Sequence, residues 1–188
     1  VCGRPVCFYG GRWFKAGIGA LAVAVLAVTL FWNRAEREWH RISRLSLGGR
    51  TEEVLTDYAR LYPFMRENPL FLYNYGAELH VAELWTASLR ILTECARGLN
   101  DTDVQILLAD NYGRLGEYDR AERHYRRAAR MCPNRFMPLY RLVKLYRQTG
   151  REAEARQLAG DIIAKSVKVP SFRVDRMKRE MEEYLRKP

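Results

Sequence analysis

A spacing of 33–34 residues recurs through the middle of this 188-residue chain, and no other feature constrains its fold as tightly. Gly116 and Gly150 are 34 apart, as are Tyr112 and Tyr146, Leu108 and Leu142, and Ala121 and Ala155. One step earlier, Gly76 and Ala109, Ser88 and Ala121, and Cys95 and Ala128 are each 33 apart. A period of this length accommodates two helices and their turns. Ala109 and Ala121 stand where paired helices approach closely, and Tyr112 and Tyr125 fill the space beside them. Gly116 permits a tight turn, and Pro133 stops the second helix. Further turn signals are Gly48-Gly49, Asn68-Pro69, Pro133-Asn134, Thr149-Gly150 and Pro170-Ser171, with Thr51 as a cap before Glu52 and Glu53. No stretch alternates cleanly enough for a sheet.

Leu108, Ala109, Tyr112, Gly116, Ala121, Tyr125, Ala128 and Pro133 together resemble the tetratricopeptide repeat. The resemblance extends over 69–169 and is best at 102–135. It implies helix pairs stacked into a superhelix, each burying its apolar face on its neighbours. The flanking copies depart from the pattern: Glu83 stands at the turn glycine, and Pro170 falls three residues late. Helix 171–186 reads as a cap, with Val174, Met177, Met181 and Leu185 as its apolar stripe.

Ahead of the repeats, residues 16–33 carry no charge. As a helix they would be about 27 Å long, enough for a hydrocarbon core. Trp13, Phe14, Phe31 and Trp32 sit at the two ends, where aromatic rings favour the interface, and Lys15 and Arg34 close the run. A cleavable signal would end in small residues, whereas this run ends in Phe31, Trp32, Asn33 and Arg34. Gly17, Gly19, Ala20, Ala22 and Ala24 offer a small-residue surface to another membrane helix. The predicted fold is all-α: an N-terminal transmembrane helix followed by an α-solenoid of tetratricopeptide-like helix pairs. Its parts are an N-terminal flank (1–15), the span (16–33), juxtamembrane helices with an irregular first pair (34–68), the repeats (69–169) and the capping helix (170–188). Arg4, Arg12 and Lys15 precede the span, while Arg34, Arg37, Arg41, Arg44 and Arg50 follow it. The balance favours the cytoplasmic side for the repeats.

The net charge of +10 points to anionic partners. A nucleic acid is excluded as the expected partner, because no recognition motif accompanies the charge and a span precedes it. Two surfaces remain. The first helices of the repeats would face a concave groove lined by Tyr73, His80, Asp110, Arg114, Tyr140, Lys144 and Arg147. Its tyrosines give contact area, and Arg114, Lys144 and Arg147 can clamp the carboxylates of an acidic protein or peptide. Arg34, Arg37, Arg41 and Arg44 follow the span at helical spacing and would touch lipid headgroups, partly offset by Glu36 and Glu38. Arg120, Arg123, Arg126, Arg127 and Arg130 spread over the face opposite Ala121, Tyr125 and Ala128, which is a solvated outer face. His124 belongs to the same exposed side.

No catalytic or metal-binding arrangement is readable. His40 and His80 have no ligating residue at i+3 or i+4, and Cys2 and Cys7 lack a second pair for zinc. Cys95 and Cys132 are expected as buried free thiols on apolar helix faces. No phosphate-binding glycine loop occurs. The chain is therefore expected to be non-catalytic in itself, with no cofactor and no metal.

A narrower resemblance rests on ENPLFLYNYGAEL, on LLADNYGRLGEYDRAERHYRRAARMCPNRFMPLYRLVKLYRQTG and on KVPS. With the preceding span, these resemble the C-terminal tail of O-antigen ligase/polymerase-like membrane proteins of Bacteroidetes. The resemblance implies a scaffold in cell-envelope polysaccharide assembly at a bacterial inner membrane. The alternative it implies is the C-terminal part of such an enzyme, with the catalytic core upstream of Val1. No catalytic residue of that family has a counterpart in this sequence.

Overall fold

The computed structural model describes residues 12–47 and 51–187, with side chains over 16–45 and 53–187. Cys2, Arg4, Cys7, the Gly48-Gly49 break and Arg50 lie outside the described residues, as do the side chains of Arg12, Trp13, Phe14, Lys15, Thr51 and Glu52. The described residues form nine helices and no strand. These are α1 (Arg12–Leu47), α2 (Thr51–Met65), α3 (Pro69–Val81), α4 (Trp85–Gly98), α5 (Thr102–Arg114), α6 (Tyr118–Met131), α7 (Met137–Gln148), α8 (Glu152–Ala164) and α9 (Phe172–Arg186). Each packs chiefly on its sequence neighbours, which makes an α-solenoid behind one long apolar helix.

Helix starts follow from capping side chains. Asn68 Oδ1 accepts from the amides of Leu70 (3.0 Å) and Phe71 (3.2 Å), with Pro69 at the first helical position. Asp101 caps α5 through Val104 N at 2.9 Å, and Ser171 caps α9 through Val174 N at 3.3 Å. Helix ends follow from one repeated turn. Leu84 N donates to Leu79 O, Glu117 N to Tyr112 O and Arg151 N to Tyr146 O, at 2.8–2.9 Å. The residue before each donor has positive φ: Glu83 at 60°, Gly116 at 79° and Gly150 at 72°. This left-handed closure satisfies carbonyls that the helix end leaves free. Glu83 thus adopts the backbone of the glycine it replaces.

Small residues set how closely the helices pair. Ser88, Cys95, Ala109, Ala121, Ala128, Ala155 and Ala159 are fully buried. A Cβ on Gly76 would lie 2.6 Å from Leu92 Cγ, so α3 and α4 meet more closely there than an alanine permits. Ile91, Leu92 and Ile162 are fully buried, each stabilising the fold by about 2 kcal/mol. The core forms two clusters that meet at α5, where Val104 and Leu108 join one and Ile106 and Ala109 the other.

Every described side chain of α1 from 16 to 34 is exposed, although Phe31 near the end of this run meets Phe64 of α2. Among the described residues, α1 is the one helix long and apolar enough to cross a membrane. It continues without a break into a half that buries Ala35, Trp39 and Ile42. There Trp39 meets Phe71 edge-on at 6.1 Å, and Tyr58 of α2 stacks on Tyr75 of α3 at 5.4 Å. α2 runs antiparallel to α1, as Arg41–Asp57 and Glu38–Arg60 pairs show, each at 3.0 Å. Pro63, which offers no amide to a preceding carbonyl, falls in the last turn of α2.

Two expectations need correction. Cys95 is a buried free thiol, raised by burial to about 11. Cys132 is free but only half-buried, because it lies one residue past α6 as its C-terminal cap. His124 is not an exposed residue. It is half-buried, stacks on Tyr112 at 5.3 Å and hydrogen-bonds Gln105 Oε1 at 2.7 Å.

Candidate functional site

A concavity with a volume of about 670 Å³ lies between α5 and α7. Helical spacing builds both walls: Asp110 and Arg114 are one turn apart on α5, and Arg141, Lys144 and Gln148 share a face of α7. His80 of α3 reaches the same space, and Tyr125 of α6 lies at its floor.

The charges are arranged unequally. Asp110 is nearly buried, with its side chain 10% exposed, and the Tyr125 hydroxyl donates to it. Burial, the Asp110 charge and this bond all push the Tyr125 phenol up, so it stays protonated and remains a donor. Arg141 Nε lies 3.7 Å from Asp110 Oδ1 and is buried without a hydrogen-bond partner. Arg114 lies over the Trp85 ring at 5.5 Å. Lys144 lies over Tyr140 at 4.4 Å and 4.0 Å from Glu180. Three cations thus face Asp110 and, through Lys144, Glu180, which leaves positive charge for an incoming anion.

Four of the expected groove residues line this space: His80, Asp110, Arg114 and Lys144. Three do not. Tyr73 is half-buried near Asp103 and Asp101, its phenol raised first by burial and then by those charges. Tyr140 donates to Glu180, and Arg147 covers the Tyr184 ring at 4.4 Å. Both partners belong to α9, which takes the place that a further repeat would occupy. Sequence reading missed Arg141 and Tyr125 as groove residues. Tyr125 lies one helix and Arg141 two helices beyond Asp110, and their proximity to it emerges only once α5, α6 and α7 are packed.

Sequence reading also missed a buried polar chain beside the groove. His80 Nδ1 bonds Asn111 Oδ1 at 2.6 Å, Asn111 Nδ2 donates to Ser88 Oγ at 2.7 Å, and Ser88 Oγ donates to Gly76 O at 2.7 Å. It joins α3, α4 and α5, and it fixes one wall of the groove through His80.

Of the four expected headgroup contacts, Arg34, Arg37 and Arg44 are exposed. Arg41 is held by Glu38 at 2.8 Å and Asp57 at 3.0 Å. On the outer face Arg120, Arg123, Arg126, Arg127 and Arg130 are exposed. Arg126 and Arg151 converge on Glu122 at 2.7 and 2.6 Å. Burial opposes ionisation of Glu122, but the bonds from Arg151 and Tyr146 outweigh it and hold the carboxyl below its usual range. No group of three or more His, Cys, Asp or Glu is placed to hold a metal among the described residues.

These features define an α-solenoid of tetratricopeptide-like helix pairs. Residues 102–135 match the tetratricopeptide repeat family model. Among solved structures, the fold is similar to MamA (residues 41 to the end) from Desulfovibrio magneticus RS-1, with a TM-score of 0.65 and 14% identity over 78% of this chain and 76% of that one. It is similar to a tetratricopeptide repeat protein from Parabacteroides merdae ATCC 43184, with a TM-score of 0.63 and 20% identity over 81% of this chain and 60% of that one. It is also similar to YrrB, described as a tetratricopeptide protein with an unusual peptide-binding site, with a TM-score of 0.60 and 16% identity over 80% and 78% of the two chains. No curated protein matches the sequence significantly.

Proposed function

We propose that this chain is a membrane-anchored adaptor whose α5–α7 groove binds a carboxylate-bearing segment of a protein partner. The observation that carries the reading is the grouping of Arg114, Arg141 and Lys144 around one concavity. A peptide carboxylate would pair with the exposed ends of these side chains, and Leu115 and Tyr118 would supply apolar contact. YrrB is a precedent for peptide binding on this fold. Anchoring is supported by the exposed apolar half of α1. The reading assigns no catalytic step to the chain. The envelope-polysaccharide setting and the inner-membrane location rest on the sequence resemblance and the flanking arginines alone.

The test is a fluorescence-anisotropy titration of the full chain in nanodiscs with labelled acidic peptides carrying a free C-terminal carboxylate. Arg141→Ala should weaken binding about tenfold or more, the loss expected for one charged hydrogen bond. Arg123→Ala on the outer face should leave it unchanged. Equal binding by all three proteins, or no effect of added salt, would remove the groove from consideration.

A further inference from the structure

Three contacts set the register of α2 along α1. Arg41 meets Asp57, Glu38 meets Arg60, and the rings of Phe31 and Phe64 meet edge-to-face at 5.1 Å. Phe31 belongs to the uncharged run, and α1 is continuous through it. The last turn of α2 therefore lies level with the end of the apolar helix. Phe64 is 45% exposed there, beside Phe31 and Trp32, each 46% exposed. A shallow cavity of about 260 Å³ opens between Phe31, Ala35, Leu61 and Phe64, with Arg34 and Arg60 on its rim.

From this register we infer that the α2–α3 corner is a second membrane contact, with Phe64 seated at the acyl–headgroup boundary of the bilayer. The inference rests on the reading of α1 as an anchor and adds to it. If α1 crosses a bilayer, depth is shared: a ring packed on Phe31 cannot remain in bulk water. Aromatic rings favour that depth, and the exposed Arg34 at the same level reaches phosphates. Two separated contacts on a rigid helix pair then fix how the solenoid is turned relative to the membrane. A lone span would leave it free to rotate.

The experiment uses the full chain in vesicles of phosphatidylcholine and phosphatidylglycerol. Cys2→Ser, Cys7→Ser and Cys132→Ser remove reactive thiols, and Cys95 stays because it is fully buried. An environment-sensitive fluorophore is placed through Phe64→Cys, Leu26→Cys or Arg123→Cys. Quenching is read with lipids carrying a spin label near the top of the acyl chain. Quenching and a blue shift at 64 and at 26, with neither at 123, are expected. Quenching at 26 but not at 64 overturns the second contact and leaves the anchor in place. A concentration-dependent crosslink between copies at 64 in that case would assign Phe64 to a second chain. Quenching at all three sites also overturns the proposal, since the solenoid would then have no fixed orientation. No quenching at 26 removes the anchor reading and this inference together. If the label at 64 loosens α2, seen as lost helicity, Phe64→Trp read with brominated lipids against the unsubstituted protein gives the same discrimination.

Discussion

The helix pair α3–α4 and the pair α5–α6 share one backbone and differ in the chemistry that builds it. Where the earlier pair has Gly76 and Ser88 at its close contacts, with Asn111 of α5 against them, the corresponding positions one repeat later are Ala109, Ala121 and Leu145. At these positions the first interface is held by a buried hydrogen-bonded chain and the second by apolar packing, with the Tyr125–Asp110 and His124–Gln105 bonds of α5–α6 lying elsewhere along the pair. The turn differs as well, since Glu83 stands where the later pairs have Gly116 and Gly150. The same left-handed turn closure from such different residues indicates that the repeat constrains volume and backbone conformation, with polarity free to vary where partners exist.

The most severe test of that contrast is Asn111→Ala. It removes two buried side-chain hydrogen bonds and leaves Ser88 and His80 with lost partners, so it should cost about 3 kcal/mol in urea unfolding. Ser88→Ala with Asn111→Leu transplants the chemistry of the second interface into the first. That double variant should recover most of the loss, to within about 1 kcal/mol of the parent. If it is no better than Asn111→Ala, the two interfaces are not interchangeable and the comparison fails.

Next in size is Gly76→Val, which imports the residue found at the same position of the third pair, Val143. Leu92 is fully buried and directly in the way, and overpacking should cost about 2 kcal/mol. Leu92→Ala in the same chain copies Ala159 and should restore part of it. A Gly76→Val protein as stable as the parent would mean that α3 and α4 can separate at no cost.

Glu83→Gly and Gly116→Ala test the turn from opposite sides. A left-handed backbone costs a residue with a Cβ about 1 kcal/mol or slightly more. Glu83→Gly should therefore stabilise the chain by about 1 kcal/mol, and Gly116→Ala should destabilise it by a similar amount. Both are read as shifts of the denaturation midpoint. Opposite signs sharpen the equivalence of the two turns, and equal signs break it.

What the sequence disclosed follows the same division. Ala109, Tyr112, Gly116 and Ala121 were legible because their residue types carry their roles, and Asn68-Pro69 because capping is local. Glu83 could be placed by register, but its positive φ could not be read from a residue that usually avoids it. The Asn111 chain was hidden, since its partners lie 31 and 23 residues away and a lone asparagine reads as surface. In the groove, the spacing of Asp110, Arg114 and Lys144 along their helices was enough to place them. Tyr140 and Arg147 have the same spacing, yet α9 folds back over them, and that depends on an inter-helix angle no local pattern encodes. The Arg41–Asp57 pair was hidden for a related reason, because Asp57 is 16 residues away on the antiparallel neighbour.

The smallest expected effect qualifies the contrast, because the apolar pair α5–α6 has a titratable ring of its own. His124 is held below its ordinary value by burial first, and then by Arg127 and Arg123. The unfolded chain, with a histidine of ordinary pKa near 6.5, takes up the proton before the folded chain does. Stability contributed by the neutral ring is therefore present above about pH 6.5 and is lost as pH falls toward the depressed folded value. The proton can be accepted only by breaking the packing against Tyr112 or by placing a third charge beside two guanidinium groups. Unfolding midpoints at about pH 7.5 and about pH 5.5 should differ less in His124→Gln than in the parent, by under about 1 kcal/mol. His40 and His80 are common to both proteins, so the difference between the two slopes belongs to position 124. An unchanged slope would show that the ring swings out to solvent when protonated, and that the α5–α6 interface yields more readily than its buried neighbours imply.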